Sequence, residues 1–192
     1  MDNLIKQLEA FVPYNEQEER DLSVMLDWAR CGADVLTRKN KTAHFSASAW
    51  IVSPDRKSTL MCFHNIYNSW SWMGGHADGD ADLKHVVVKE IGEECGLSPD
   101  KLHFLDDGIF SVEILTVNGH EKRGEYVPSH LHLNVTYLLE ADPALPIRCK
   151  PDENSRVGWF GLDEAVEASS EPWFRERIYS KINAKLCAGW PK

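Results

Sequence analysis

The chain has 192 residues and carries 21 Lys and Arg against 30 Asp and Glu, a formal net charge of −9. Nucleic-acid binding needs a basic face that releases counterions, so this balance argues against it and leaves a small anionic molecule to be drawn in locally. No run is apolar enough to span a membrane, and one domain is the expectation at this length.

Residues 1–11 lack the basic and apolar regions of a signal peptide. Cys31, Cys62, Cys95, Cys149 and Cys187 are scattered without a CxxC pair, which suits reduced thiols in the cytoplasm and neither a disulfide framework nor a cysteine zinc site. Residues 1–38 are polar, with Leu22, Met25, Leu26, Trp28 and Ala29 at helical spacing after a break at Pro13. They predict a helical N-terminal extension ahead of a catalytic domain over residues 39–192. Its role is a packed cap, a homodimer contact or a substrate-selecting lid.

Residues 44–52 and 58–63 read as two strands around the turn Pro54-Asp55-Arg56-Lys57. Trp70 and Trp72 share one face of a short strand that leads into Gly74 and Gly75. After a helix ending near Glu94, residues 102–115 and 130–139 have strand character, separated by a polar loop with Asn118-Gly119. A proline-rich connection spans 143–151, a short strand 157–160, and helices start at Asp163 and at Trp173. Strands mixed with helices and no internal repeat predict an α/β fold.

The stretch 74–97, GGHADGDADLKHVVVKEIGEECGL, breaks several local rules in one helical turn. Glu90 repels Glu93 and Glu94 at i,i+3 and i,i+4. All three lie at the negative end of the helix dipole, and Gly92 costs about 1 kcal/mol relative to Ala. At helical spacing Leu83, Val86, Val87, Glu90 and Glu94 fall on one side, so the core-facing stripe turns acidic. Buried carboxylates need a partner. No run of Lys or Arg nearby supplies enough positive charge, and clustered oxygen ligands point to Mg2+ or Mn2+ rather than zinc.

At these residues the chain resembles the Nudix hydrolase family, whose box reads G-x5-E-x7-R-E-U-x-E-E-x-G-U with U aliphatic. Gly75 opens the box, and Lys89, Glu90, Glu93, Glu94, Gly96 and Leu97 close it in register. Ala81 stands at the first Glu position and Lys89 at the Arg position. The resemblance implies a Nudix-type α/β/α sandwich with a mixed sheet, and hydrolysis of a phosphoanhydride bond in a nucleoside diphosphate linked to another group. It also implies metal on Glu90, Glu93 and Glu94, with Glu93 and Glu94 central to catalysis. In the family the missing Glu and the Arg mainly brace the loop, so Asp78, Asp80 or Asp82 is expected to pair with Lys89 or cap the helix.

Family members add a glutamate from a later loop; Glu153 is the candidate here, ahead of Glu125 and Glu113. Gly74, Gly75 and His76 are candidate substrate contacts, the glycines through close backbone approach or positive φ. His130 and His132 alternate on one strand face and suit metal or phosphate as well as sheet packing. Trp70 and Trp72 are candidates for stacking a base or for the core, and Lys122, Arg123 and Arg148 for phosphate. Two other readings stay open. One is an isopentenyl-diphosphate isomerase-like enzyme using Cys62 or Cys95; the other is a nucleotide-binding module without catalysis.

Overall fold

The structure is a computed structural model that describes residues 1–122 and 124–189. Arg123 and the side chain of Lys122 lie outside the described residues. An eight-stranded mixed sheet forms the centre. Strand β1 (Ala43–Val52) turns through residues 54–57 into β2 (Ser58–His64), followed by β3 (Ser69–Ser71) and β4 (Met73–His76). Helix α3 (Leu83–Glu94) comes next, preceded in the chain by α1 (Asp2–Ala10) and α2 (Glu16–Arg30). Strands β5 (His103–Phe104), β6 (Ser111–Val117), β9 (His130–Glu140) and β10 (Asn154–Gly161) complete the sheet, while β7 (His120–Lys122) and β8 (Glu125–Val127) make a separate hairpin.

β1 runs parallel to β9 along its full length and antiparallel to β2 and β4. It meets β2 only at Val52↔Thr59, and from Ala49 to Ser46 the edge belongs to β4. This divided edge is what opens the sheet beside the box helix.

Period-two alternation explains the layers. Phe45, Ala47, Ala49 and Ile51 of β1, with Leu133, Val135, Tyr137 and Leu139 of β9, face one core, against which Val87 and Ile91 of α3 and Leu4, Leu8 and Met25 of the N-terminal helices pack. Trp50, Val52 and Leu138 point the other way, into a second core closed by Tyr179 and Ile182. Those residues belong to a π-helical turn (Phe174–Tyr179) that runs into α5 (Ser180–Cys187); α4 (Leu162–Ala168) packs beside them. The result is an α/β/α sandwich.

Residues 1–38 form two helices, with α1 burying Leu4 and Leu8 one turn apart. Asn15 caps α2 by accepting from the Glu18 amide at 3.0 Å. Glu18 itself is fully buried: its carboxylate meets Lys185 Nζ at 2.9 Å and Lys181 Nζ at 3.2 Å. Lys181 also reaches the buried Glu113 at 3.1 Å. The N-terminal helices are thereby fastened to the C-terminal one through a charge-balanced cluster of two acids and two lysines.

Residues 102–115 are not one strand. β5 and β6 are separated by the Asp106-Asp107-Gly108 turn, in which Asp106 accepts from the Gly108 amide at 2.9 Å. Gly74 and Gly75 lie within β4 rather than in a loop, and neither has a positive φ. Their lack of a side chain matters for another reason: a Cβ on Gly74 would stand 2.5 Å from the Ala47 carbonyl, and one on Gly75 2.4 Å from the Glu90 carboxyl carbon.

Candidate active site

Helix α3 carries the box glutamates to the divided edge of β1. Leu83, Val86, Val87 and Ile91 anchor it in the core, and this fixes the rotation that turns Glu90 and Glu94 toward β4. Glu94 is 3% exposed and accepts a hydrogen bond from the Gly74 amide at 2.9 Å. Glu90 packs against Gly75, in space that only glycine leaves open. The Asn154 side chain donates to the Glu94 carbonyl at 2.9 Å, tying the end of the helix to the start of β10.

Electrostatics separate the glutamates. Burial, with smaller contributions from Glu90 and Glu153, pushes the Glu94 carboxyl up to about 8 despite the Gly74 amide. Burial also raises Glu90, partly offset by Lys89. Glu93 is held below the ordinary carboxylate range by Lys150, whose Nζ lies 2.8 Å from it and 3.0 Å from Glu153. Glu153 thus enters the same cluster, from the connection before β10.

The cluster opens into a cavity of about 570 Å³ whose wall includes Gly74, Gly75, His76 and all four glutamates. Two carboxyls raised by burial and by neighbouring carboxylates, against the two glycines of β4, form a donor set that fits a hard divalent cation.

Several candidates lie elsewhere or do other work. Glu113 is bound in a buried network with Ser111, Asn134, Thr136 and Lys181, and Glu125 sits exposed on the β7–β8 hairpin. Trp72 is buried edge-on against Tyr179 and Phe174. Trp70 packs edge-on against Phe160 and Phe63, with the Arg156 guanidinium over its ring. Arg148 packs over Gly96. Cys62 and Cys95 are fully buried, donate to the Trp72 and Ile91 carbonyls, and have their thiols pushed up by burial, Cys95 to about 11. Neither thiol is placed for proton transfer to a substrate.

The brace of the box differs from a Glu–Arg pair. Lys89 turns to Glu90 and Glu93, at 3.4 and 3.6 Å. Asp82 caps α3, accepting from the Lys84 and His85 amides, while Asp80 pairs with His85 at 2.6 Å. Asp78 receives a forked bond from Arg38 at 2.8 and 2.7 Å, which pins the segment before the helix to the chain ahead of β1. Asp82→Ala is expected to cost about 1 kcal/mol in a urea melt.

Sequence reasoning missed Lys150, Ile66, Tyr67 and His44. Lys150, within the proline-rich connection, bridges Glu93 and Glu153. Ile66 and Tyr67, at the β2–β3 turn, stand 54% and 46% exposed at the cavity wall, the Tyr67 ring 4.6 Å from that of His64. His44 joins His76, His130 and His132 in one cluster.

The NUDIX domain family model matches residues 42–182, and the chain belongs to the Nudix hydrolase family. It is a pyrophosphohydrolase of that family, whose members act on nucleoside diphosphates linked to another moiety and generally need a divalent metal.

Among solved structures, the chain is similar to a C. elegans Ap4A hydrolase in a binary complex, at 18% identity and TM-score 0.54, covering 75% of this chain and 98% of that one. RenU, a Nudix hydrolase from M. smegmatis, aligns at 15% identity and TM-score 0.53 over 78% of this chain and 88% of its own. The E. coli dihydroneopterin triphosphate pyrophosphohydrolase aligns at 14% and 0.53 over 73% and 95%. No curated protein gives a significant sequence match. Among the described residues no helix is long and apolar enough to cross a membrane.

Proposed function

We propose that the protein is a Mg2+- or Mn2+-dependent hydrolase that cleaves the phosphoanhydride bond of a nucleoside diphosphate linked to another group. The observation that carries this is the buried Glu94 carboxyl, pushed up to about 8 beside Glu90 at the mouth of a cavity. Charge placed this way is costly unless a cation and a polyanion complete it.

Glu90 and Glu94 are the chief metal ligands in this reading, with Glu93 sharing the ion. When bound, the cation neutralises diphosphate charge and lowers the pKa of a coordinated water. Glu153 would take the proton of the attacking water at a carboxylate oxygen, and Lys150, which lies between Glu93 and Glu153, would offer its ammonium to the phosphate. Gly74, Gly75 and His76 form the strand against which the diphosphate lies. Tyr67 and Ile66, at the cavity wall, offer the nucleoside an apolar contact. No side-chain nucleophile is required.

The relatives with known structures named for Ap4A and dihydroneopterin triphosphate support a nucleotide-type substrate. A panel of nucleoside-diphosphate derivatives, including sugar and dinucleoside forms, is the test. Products containing a nucleoside monophosphate are expected with Mg2+ or Mn2+ and none with chelator. Binding without turnover across the panel, with metal present, would identify a nucleotide-binding module instead.

A further inference from the structure

Four histidines from three strands converge beside the cavity. His44 of β1 and His132 of β9 are in register across the parallel pair, and His76 of β4 enters from the other edge of β1. With His130, each offers one ring nitrogen, and these four atoms lie within 4.8 Å of one another. A second cavity of about 310 Å³ borders all four rings.

The hydrogen bonds at two of the rings fix their tautomers. His44 Nδ1 is 3.0 Å from the Asn40 carbonyl and His130 Nδ1 is 2.8 Å from the Pro128 carbonyl. A carbonyl only accepts, so both rings carry their proton on Nδ1 and present a lone pair at Nε2. His44 is 3% exposed, and its buried Nε2 has no hydrogen-bond partner. His130 Nε2 faces His132 Nε2 at 3.2 Å. A neutral His132 can donate there, yet this leaves His44 Nε2 unanswered. An anion would need N–H donors or positive rings; the two fixed N–H groups point away to carbonyls, and burial followed by the charges of its neighbours pushes His132 down to about 2. Of the cations at the cavity edge, Arg38 is committed to Asp78 and Lys41 stands exposed.

Converging imidazole lone pairs suit a borderline transition ion and not Mg2+, which takes oxygen. Tetrahedral zinc with nitrogen ligands at about 2.0–2.1 Å separates neighbouring ligand atoms by about 3.4 Å, close to the 3.2 Å between His130 and His132. The carbonyls behind His44 and His130 are the kind of outer partner that orients metal-bound histidine. We propose that His44, His76, His130 and His132 form a four-imidazole site for a zinc-class divalent ion, separate from the box carboxylates. On binding, His132 takes the tautomer that carries its proton on Nδ1, which leaves the Nε2 lone pair for the ion. The ion clamps β1, β4 and β9 together, and through His76 it holds the strand that cradles Glu90 and Glu94.

The test uses the full-length chain without an affinity tag, stripped by chelator and then kept in excess Mg2+. Titration with Zn2+ is expected to leave one equivalent bound after desalting and to raise Tm by about 5–10 °C at a hundredfold excess over Kd. Co2+ is expected to give the strong visible bands of a tetrahedral site. His132→Asn and His130→Asn are each expected to weaken binding by more than about 100-fold; His130, at the half-buried strand end, keeps the test open if His132→Asn misfolds. The Glu90→Gln/Glu94→Gln double variant is expected to retain the equivalent. Absence of a tight equivalent in the unmutated chain overturns the proposal. So does binding that survives His130→Asn and disappears from the glutamate variant. Either result leaves the hydrolysis reading standing, because that reading rests on the carboxylates.

Discussion

Glu94→Gln is expected to lower kcat/KM by more than about 100-fold, since even the supporting partners of metal ligands are worth 10–100-fold, and to leave the fold intact. The amide keeps an oxygen for the Gly74 amide, now 2.9 Å from the carboxylate, while the charge disappears. The pH dependence of stability supplies a signature that a merely structural role lacks. A carboxyl raised from the ordinary 4.5 to about 8 keeps its proton in the folded chain where the unfolded chain has lost it. Metal-free stability therefore falls as pH rises through that interval. His44 and His132, held below the ordinary 6.5, act with the opposite sign, and their effect is complete above that value. Between about pH 7 and 8 the decline reports on Glu94, since the histidine contribution is complete and the Cys62 and Cys95 thiols, raised above their ordinary value of 9, act only at higher pH. Thermal melts of the metal-free chain are expected to show it, and the Gln variant to flatten it. A variant less stable than its parent at pH 8 without metal would make Glu94 a structural residue.

Glu18→Ala is expected to cost about 3–5 kcal/mol, the range for removing one member of a buried ion cluster. For a chain of this size that means a Tm lower by about 6–20 °C. Burial pushes the Glu18 carboxyl up, but Lys181 and Lys185 outweigh it and hold the group below the ordinary range. Removing it leaves two lysines facing Glu113 alone. Replacing Glu18 and Lys185 together by Met is expected to recover much of the loss, because a well-packed apolar pair often matches the ion pair it replaces. A single-variant loss under about 1 kcal/mol would show that water reaches the cluster and screens it.

What was legible in the sequence was local. The turn at Pro54-Asp55-Arg56-Lys57 marks the β1–β2 junction, and the stripe running from Leu83 to Glu94 foretells both the helix and the burial of its last acid. Asp82, expected at the helix start, caps it. The remainder depends on partners distant in the chain. Gly74 and Gly75 read as a phosphate loop because glycine suggests positive φ, whereas β-pairing with Ala47 and Ser48 and contact with Glu90 demand the absence of a side chain. Lys150 acquires its role only when the connection before β10 folds back on Glu93. His130 and His132 showed a pair by alternation, but His44 and His76 meet them through strand register, which no local pattern displays. Glu18 stands among the other acids of a charged helix, and its burial follows only from its pairing with Lys181 and Lys185 of α5.

Turnover in isotopically labelled water tests the central claim most directly. With Mg2+ or Mn2+ and a nucleoside-diphosphate derivative, one product phosphate is expected to carry a single solvent oxygen, and chelator is expected to stop its formation. Product phosphates without solvent oxygen, or turnover that persists in chelator, would contradict water attack at phosphorus on a carboxylate-held metal.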